Sequence, residues 1–231
     1  MPNISYIEEG KGDIILFLHG WGQNKEMMYP IISELKEKYK CVVLDLPGFG
    51  KSLFDNSKDI EEYVSSIRCF LEKNGLLPKY IVGHSFGGKL ALEYYFKYKD
   101  IDKMVFIASP ILKPKRSIKY YYKVYKYKIL KKINIVSKNV GSEDYKNCKK
   151  EMKSFFVKVV NTHYDKKVKD INIPVLLIWG DKDNQVKLDK GKKLNKIIKS
   201  SQLYILKGSH FAYLDNIEFT KLVIQKFIRR I

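Results

Sequence analysis

Ser85 stands in the run Gly83-His84-Ser85-Phe86-Gly87-Gly88. A serine with glycine two residues away on either side suits a tight turn that lifts its hydroxyl clear of the backbone, because side chains at the flanking positions would block the reversal. The run follows the apolar Tyr80-Ile81-Val82 and opens residues 87–99, which have helical spacing. A strand–turn–helix with Ser85 at the turn is therefore predicted. The N–H of Phe86, at the positive end of that helix, can face an oxyanion as it develops. This is the chemistry of a serine attacking an acyl carbon. A glycine-rich turn with an incidental serine is the plainer alternative, and only partner residues elsewhere in the chain separate the two.

Three further features fall just after apolar runs. His19-Gly20-Trp21-Gly22 follows residues 14–18, Trp179-Gly180-Asp181-Lys182-Asp183 closes residues 175–179, and Gly208-Ser209-His210 follows residues 202–206. Open α/β sheets collect their ligands beyond the carboxyl ends of the strands, so all four features are expected on one edge. The first turn can supply a second oxyanion N–H, from Trp21, whose indole would also wall the site. Of the four histidines, His19 precedes Ser85, His84 adjoins it, and His163 comes before every acid that follows a strand. With the order serine, acid, histidine, His210 is the base that takes the Ser85 proton and returns it to the leaving group. Asp181 and Asp183 both remain candidates for the acid that orients it.

The elements that must position these residues are short apolar runs alternating with helical patterns. The runs at residues 13–18, 41–44, 79–82, 104–107, 175–179 and 202–206 are continuous rather than alternating, as in strands covered on both faces. Helices are expected over 25–39, 60–74, 87–99, 187–199 and 217–231. The fold class is therefore α/β, with a mostly parallel, doubly covered sheet. Residues 111–172 break the rhythm: they hold no convincing strand, and 117–135 and 145–161 have helical spacing. The stretch is too long for a plain loop. It is read as a helical cap inserted into a core formed by residues 1–110 and 173–231.

The 231 residues, 45% of them hydrophobic, suffice for one packed domain. The net charge of +19 raises the question of a polyanionic partner. Only four basic residues are arginine, Arg68, Arg116, Arg229 and Arg230, and they do not cluster, so nucleic acid is not expected. The charge is uneven, however. Residues 111–170 carry 18 basic against five acidic residues, which points to an acidic partner at the cap, such as an acyl-carrier protein. A lysine-rich codon bias is the competing explanation. No run is long and apolar enough to span a membrane, and the N-terminus lacks a secretory pattern. Cys41, Cys69 and Cys148 form no disulfide framework, so a cytoplasmic location is expected. No metal-ligand spacing and no cofactor fingerprint is found. Gly50-Lys51-Ser52 is not a phosphate loop, because that motif needs glycine where Asp45 stands.

Taken with Leu44-Asp45-Leu46-Pro47-Gly48-Phe49-Gly50-Lys51-Ser52, the four blocks resemble, in order and along the whole chain, the small-carboxylesterase branch of the α/β-hydrolase superfamily. The pairing of the first turn with that loop is similar to esterases of the biotin pathway that cleave pimeloyl-[acyl-carrier protein] methyl ester. The resemblance implies a triad of Ser85, His210 and Asp183, since the family's acid is the last residue of Gly-x-x-Asp, with oxyanion donors on Trp21 and Phe86. It implies hydrolysis of a carboxylic ester or thioester of a small molecule through an acyl-enzyme, with no cofactor or metal. C–C hydrolases and lyases of this fold use the same triad and are the alternative. A non-catalytic binding protein on the fold would be expected to have lost a triad member.

Overall fold

Residues 3–114 and 142–229, together with Tyr122, Tyr125 and Ile129, are described by the computed structural model. Seven strands form one sheet: β1 (Tyr6–Glu9), β2 (Ile14–Leu18), β3 (Lys40–Leu44), β4 (Tyr80–His84), β5 (Lys103–Ile107), β6 (Val175–Gly180) and β7 (Ser201–Leu206). Their spatial order is β1-β3-β2-β4-β5-β6-β7, with β1 antiparallel to β3 and every other pair parallel.

Successive residues of a strand point to opposite faces, so continuous apolar runs fill two cores. Leu16 and Leu18 join one cluster while Ile15 and Phe17 join the other. The first face is covered by α1 (Ile60–Lys73), α2 (Phe86–Tyr98) and α5 (Leu188–Ile197). The second is covered by residues 25–37 and by α7 (Ile217–Arg229), through Val223, Ile224, Phe227 and Ile228. Between β5 and β6 lie α3 (Glu143–Asn147), a 3₁₀ turn (Lys150–Met152) and α4 (Lys153–Asn161), and α6 (Ala212–Asp215) precedes α7.

The expected helix over 25–39 is instead three 3₁₀ turns, Lys25–Met27, Tyr29–Ile32 and Leu35–Glu37. Pro30 cannot donate an N–H and disfavours helical geometry at the residue before it, so a continuous helix cannot form there. Met28, Ile31, Ile32 and Leu35 are buried all the same. Strand β1 was not expected: it is a half-exposed edge strand of four residues whose two glutamates mask its pattern. The expected helix over 145–161 is broken into α3, the 3₁₀ turn and α4. The one expected over 117–135 lies outside the described residues, apart from the three named above.

The two ends of the segment between β5 and β6 are tied together. Tyr164 N–H donates to the Ile111 carbonyl at 3.0 Å, and Lys113 N–H to Asp165 Oδ2 at 2.8 Å. Tyr164 and Val168 then enter the first core.

Candidate active site

Ser85 sits between β4 and α2 at φ 49°, ψ −111°. A non-glycine residue is strained there and is found where surrounding structure enforces it. The enforcement is visible. Ser85 N–H donates to the Ile107 carbonyl at 2.8 Å, latching the turn to β5. A Cβ on Gly83 would lie 2.4 Å from the Gly87 backbone, and one on Gly88 would lie 1.9 Å from Ser109 Oγ. Phe86 is the first residue of α2, so its N–H belongs to the set without an intrahelical acceptor.

The turn after β2 lies alongside. Gln23 N–H closes it on the Gly20 carbonyl at 3.3 Å, and Gly20 N–H donates to Gln23 Oε1 at 3.0 Å. His19 is fully buried and anchors it: Nδ1 lies 2.7 Å from the Gly20 carbonyl oxygen, and Nε2 accepts the Leu46 N–H at 3.0 Å. One donor and one acceptor fit a neutral imidazole, and burial pulls its pKa down to about 4. Trp21 packs against Phe49, Phe86, Phe155 and Phe156, with ring centroids 4.8–6.1 Å apart.

Asp45 organises the neighbouring loop. Its buried carboxylate accepts from Lys25 Nζ and Lys25 N–H at 2.8 Å each, and from Lys51 N–H at 3.0 Å. Burial alone would raise its pKa, but these donors hold it below the usual carboxylate range. Gly50, at φ +53°, passes so close that a Cβ there would strike the Asp45 carboxylate. The run after Leu44 is thus a structural clasp beside the site.

On the far side, Asp183 follows β6 and His210 follows β7. Both are buried, at 4% and 5% exposed, and His210 Nδ1 lies 2.8 Å from Asp183 Oδ2. Asp183 Oδ1 accepts the N–H groups of Gln185 and Val186 at 2.8 Å each. Asp181 is exposed, and its Oδ1 accepts the Gly208 N–H at 2.9 Å. The structure therefore brings Asp183, not Asp181, onto His210.

Behind His210 lies His84, fully buried, with ring centroids 4.8 Å apart. His84 Nε2 is 3.2 Å from the His210 carbonyl oxygen, and Nδ1 is 3.2 Å from Gln23 Oε1. Burial, with the His210 ring close by, pushes the His84 pKa down to about 3.

Two cavities meet at Ser85. One, of about 570 Å³, is lined by Ser85, His210, Trp21 and polar groups including Asn24, Asp144 and Gln185. The other, of about 440 Å³, shares Ser85 and Trp21 but is walled by Phe86, Leu112, Phe156, Val159, Val160 and Val186. Ser85 and Trp21 thus border both cavities, His210 the polar one and Phe86 the apolar one, with Asp183 hydrogen-bonded to His210. The sequence reading passed over Asp144, Gln23, Gln185 and Lys89, all of which line these cavities; His163, within the segment read as the cap, lines the apolar one. Only Lys89 carried a signal: a cation in the first turns of a helix sits at the unfavourable end of its dipole. Among the described residues no helix is long and apolar enough to cross a membrane.

Residues 13–133 match the family described as alpha/beta hydrolase fold. The chain is 28% identical to Lipase 1 of Psychrobacter immobilis over 234 residues, covering 87% of this chain and 72% of the lipase. It is 30% identical to pimeloyl-[acyl-carrier protein] methyl ester esterase of Vibrio atlanticus over 101 residues, covering 43% of this chain and 38% of that enzyme. Its fold matches the thermophilic esterase of Thermogutta terrifontis with a TM-score of 0.79 at 16% identity, over 98% of this chain and 93% of the esterase. With its seven-stranded, mostly parallel sheet and the match over 13–133, the chain belongs to the α/β-hydrolase family.

Proposed function

We propose that the protein is a serine hydrolase that cleaves a carboxylic ester or thioester through an acyl-enzyme. The observation that carries this reading is the strained Ser85 opening onto the same cavity as a His210 whose Nδ1 is held by Asp183 at 2.8 Å. Ser85 Oγ attacks the carbonyl carbon and its proton passes to His210 Nε2. The negative charge on the carbonyl oxygen is met by the N–H groups of Trp21 and Phe86, each worth about 2.7–4 kcal/mol of barrier in acyl transfer. As the tetrahedral intermediate collapses, His210 hands its proton to the departing alkoxide or thiolate, which leaves as alcohol or thiol. Water then attacks the acyl-serine, gives a proton to His210, and the acid departs as Ser85 Oγ regains its proton. Asp183 keeps the His210 proton on Nδ1, so that Nε2 faces the serine as an acceptor.

The two cavities suit the two halves of an ester. The apolar one takes the acyl chain, and the polar one takes the leaving group. The described part of residues 111–172 acts as a cap, with α3 lining both cavities and α4 the apolar one, which makes this segment the determinant of substrate choice. The surplus of basic residues in the same segment supports an acidic partner such as an acyl-carrier protein. Added salt should then slow turnover of a carrier-bound substrate and leave a small neutral ester unaffected.

The test of the reaction is turnover of p-nitrophenyl esters, with labelling by a fluorophosphonate, in the wild type and in Ser85→Ala. Loss of both in the folded variant supports the reading, and undiminished turnover overturns it. Cleavage of C–C substrates but not esters in the same panel would move the reaction to carbon–carbon hydrolysis by the same residues.

A further inference from the structure

Lys89 lies one turn into α2, just past the serine turn, and is only 2% exposed. Its Nζ donates to the Val159 carbonyl at 2.8 Å and to the Thr162 carbonyl at 2.9 Å, at the C-terminal end of α4. The contact ties the cap to the helix that carries the serine, and the partial negative charge at a helix C-terminus favours it. Two carbonyls do not complete the lysine, however. An ammonium has three donors, and among the described residues no carboxylate pairs with it. Burial without a counter-charge pulls its pKa down to about 8. A buried cation held only by neutral dipoles is costly, and an apolar side chain would pack there at less cost.

The same lysine lines the apolar cavity that opens at Ser85. The remaining charged lining groups are Lys187 and Lys190 against Asp144 and Asp189, so with Lys89 the cavity carries net positive charge. Lys190 Nζ is engaged with the Lys113 carbonyl at 2.8 Å, and Lys187 and Asp189 stand at the exposed rim or near it. Among the described residues, Lys89 is the one cation set deep among Phe86, Leu112, Phe156 and Val159.

We propose that Lys89 reads a carboxylate at the far end of the acyl group, so that half-esters or half-thioesters of short dicarboxylic acids are the preferred substrates of Ser85. This rests on the acyl-enzyme reading above and adds the acyl group's class to it. The spare N–H of Lys89 donates to the carboxylate, the carboxylate supplies the missing counter-charge, and the apolar walls take the methylenes between the two ends. Lys89 follows Ser85 by only four residues, and both line the same cavity, which points to short dicarboxylic chains rather than long fatty acyl groups.

The experiment compares kcat/KM of the full chain on monomethyl glutarate and adipate with methyl esters of the matching monocarboxylic acids. The expected result is a preference for the anionic member of each pair by about tenfold or more, as a charge-assisted hydrogen bond in a desolvated site gives. Lys89→Met should collapse the anionic-to-neutral ratio to near unity, and Lys89→Arg should restore part of it. A lysine that only tied α4 to α2 would lower both substrates together and keep the ratio. Should Lys89→Met fail to fold, inhibition of the wild type decides: glutarate should compete with a neutral ester more strongly than pentanoate. Turnover of neutral esters with no anionic preference and equal inhibition overturns the proposal alone. Absence of turnover on both classes with no fluorophosphonate labelling overturns the acyl-enzyme reading, and this proposal with it.

Discussion

Asp183 divides its carboxylate between two tasks: Oδ2 lies 2.8 Å from His210 Nδ1, while Oδ1 accepts two backbone N–H groups, from Gln185 and Val186. The backbone bonds fix the orientation of the group, and the orientation fixes the imidazole. Asp181, two residues earlier, serves only the Gly208 turn.

The first prediction follows from that division. Asp183→Asn keeps an acceptor for the backbone but presents an amide N–H₂ to His210 Nδ1, which forces the wrong tautomer. We expect ester kcat to fall by roughly 10³–10⁴-fold with the fold retained, a loss of the size known for the equivalent change in a serine protease. Asp181→Asn should change kcat by less than about threefold, because its carboxylate makes no contact with His210. Steady-state kinetics with circular dichroism on both variants checks this, and equal losses would contradict it.

Strain at Ser85 has a thermodynamic signature. Its φ of 49° is open to glycine but costly for a residue with a Cβ, typically about 1–3 kcal/mol. Ser85→Gly should therefore be more stable than Ser85→Ala by on the order of 1 kcal/mol, although both are inactive. Urea unfolding measures the difference, and a less stable glycine variant would show that the turn stores no strain.

Acid should weaken the fold through two buried rings. His19 and His84 have pKa values of about 4 and about 3 in the folded chain, lowered by burial, against roughly 6.5 when unfolded. The unfolded state binds the extra protons first, so their stabilisation is complete above about pH 6.5 and is lost as pH falls toward 4. The loss is on the order of 3 kcal/mol per ring. The slope of unfolding free energy between pH 6.5 and 4 should flatten in His19→Asn relative to wild type, and an unchanged slope would argue that His19 is not held neutral.

The Lys25–Asp45 pair gives a fourth test. Asp45 is 1% and Lys25 8% exposed, with 2.8 Å between Nζ and Oδ2. Removing one partner strands a buried charge, so Lys25→Met should destabilise by about 3–5 kcal/mol. Adding Asp45→Asn to Lys25→Met should recover part of that loss, because no charge remains unpaired. Strictly additive effects in the double-mutant cycle would show that the two charges are not coupled.

Much of this protein is written locally. Gly83, Ser85 and Gly87 announce a turn because only small neighbours permit it, and the continuous apolar strands announce a sheet covered on both faces because each residue must find a core on its own side. Chain order separates His210 from the other three histidines. Other features depend on contacts that no local pattern encodes. Pro30 and the two glutamates of β1 made residues 25–39 and 6–9 misleading, since burial there comes from the opposite layer and the neighbouring strand. Spacing left Asp181 and Asp183 as equals, and the family pattern alone chose between them. The structure distinguishes them physically, because only Asp183 is turned inward by Gln185 and Val186 to meet a histidine 27 residues away. Lys89 is marked in the sequence only by its place near the start of a helix, and it becomes a buried cation only once α4 is folded over α2. The linear chain determines which groups can react and in what order they occur. Tertiary packing decides which of them are dry, which are paired and which share a cavity, because desolvation and hydrogen-bond geometry arise between elements distant in sequence.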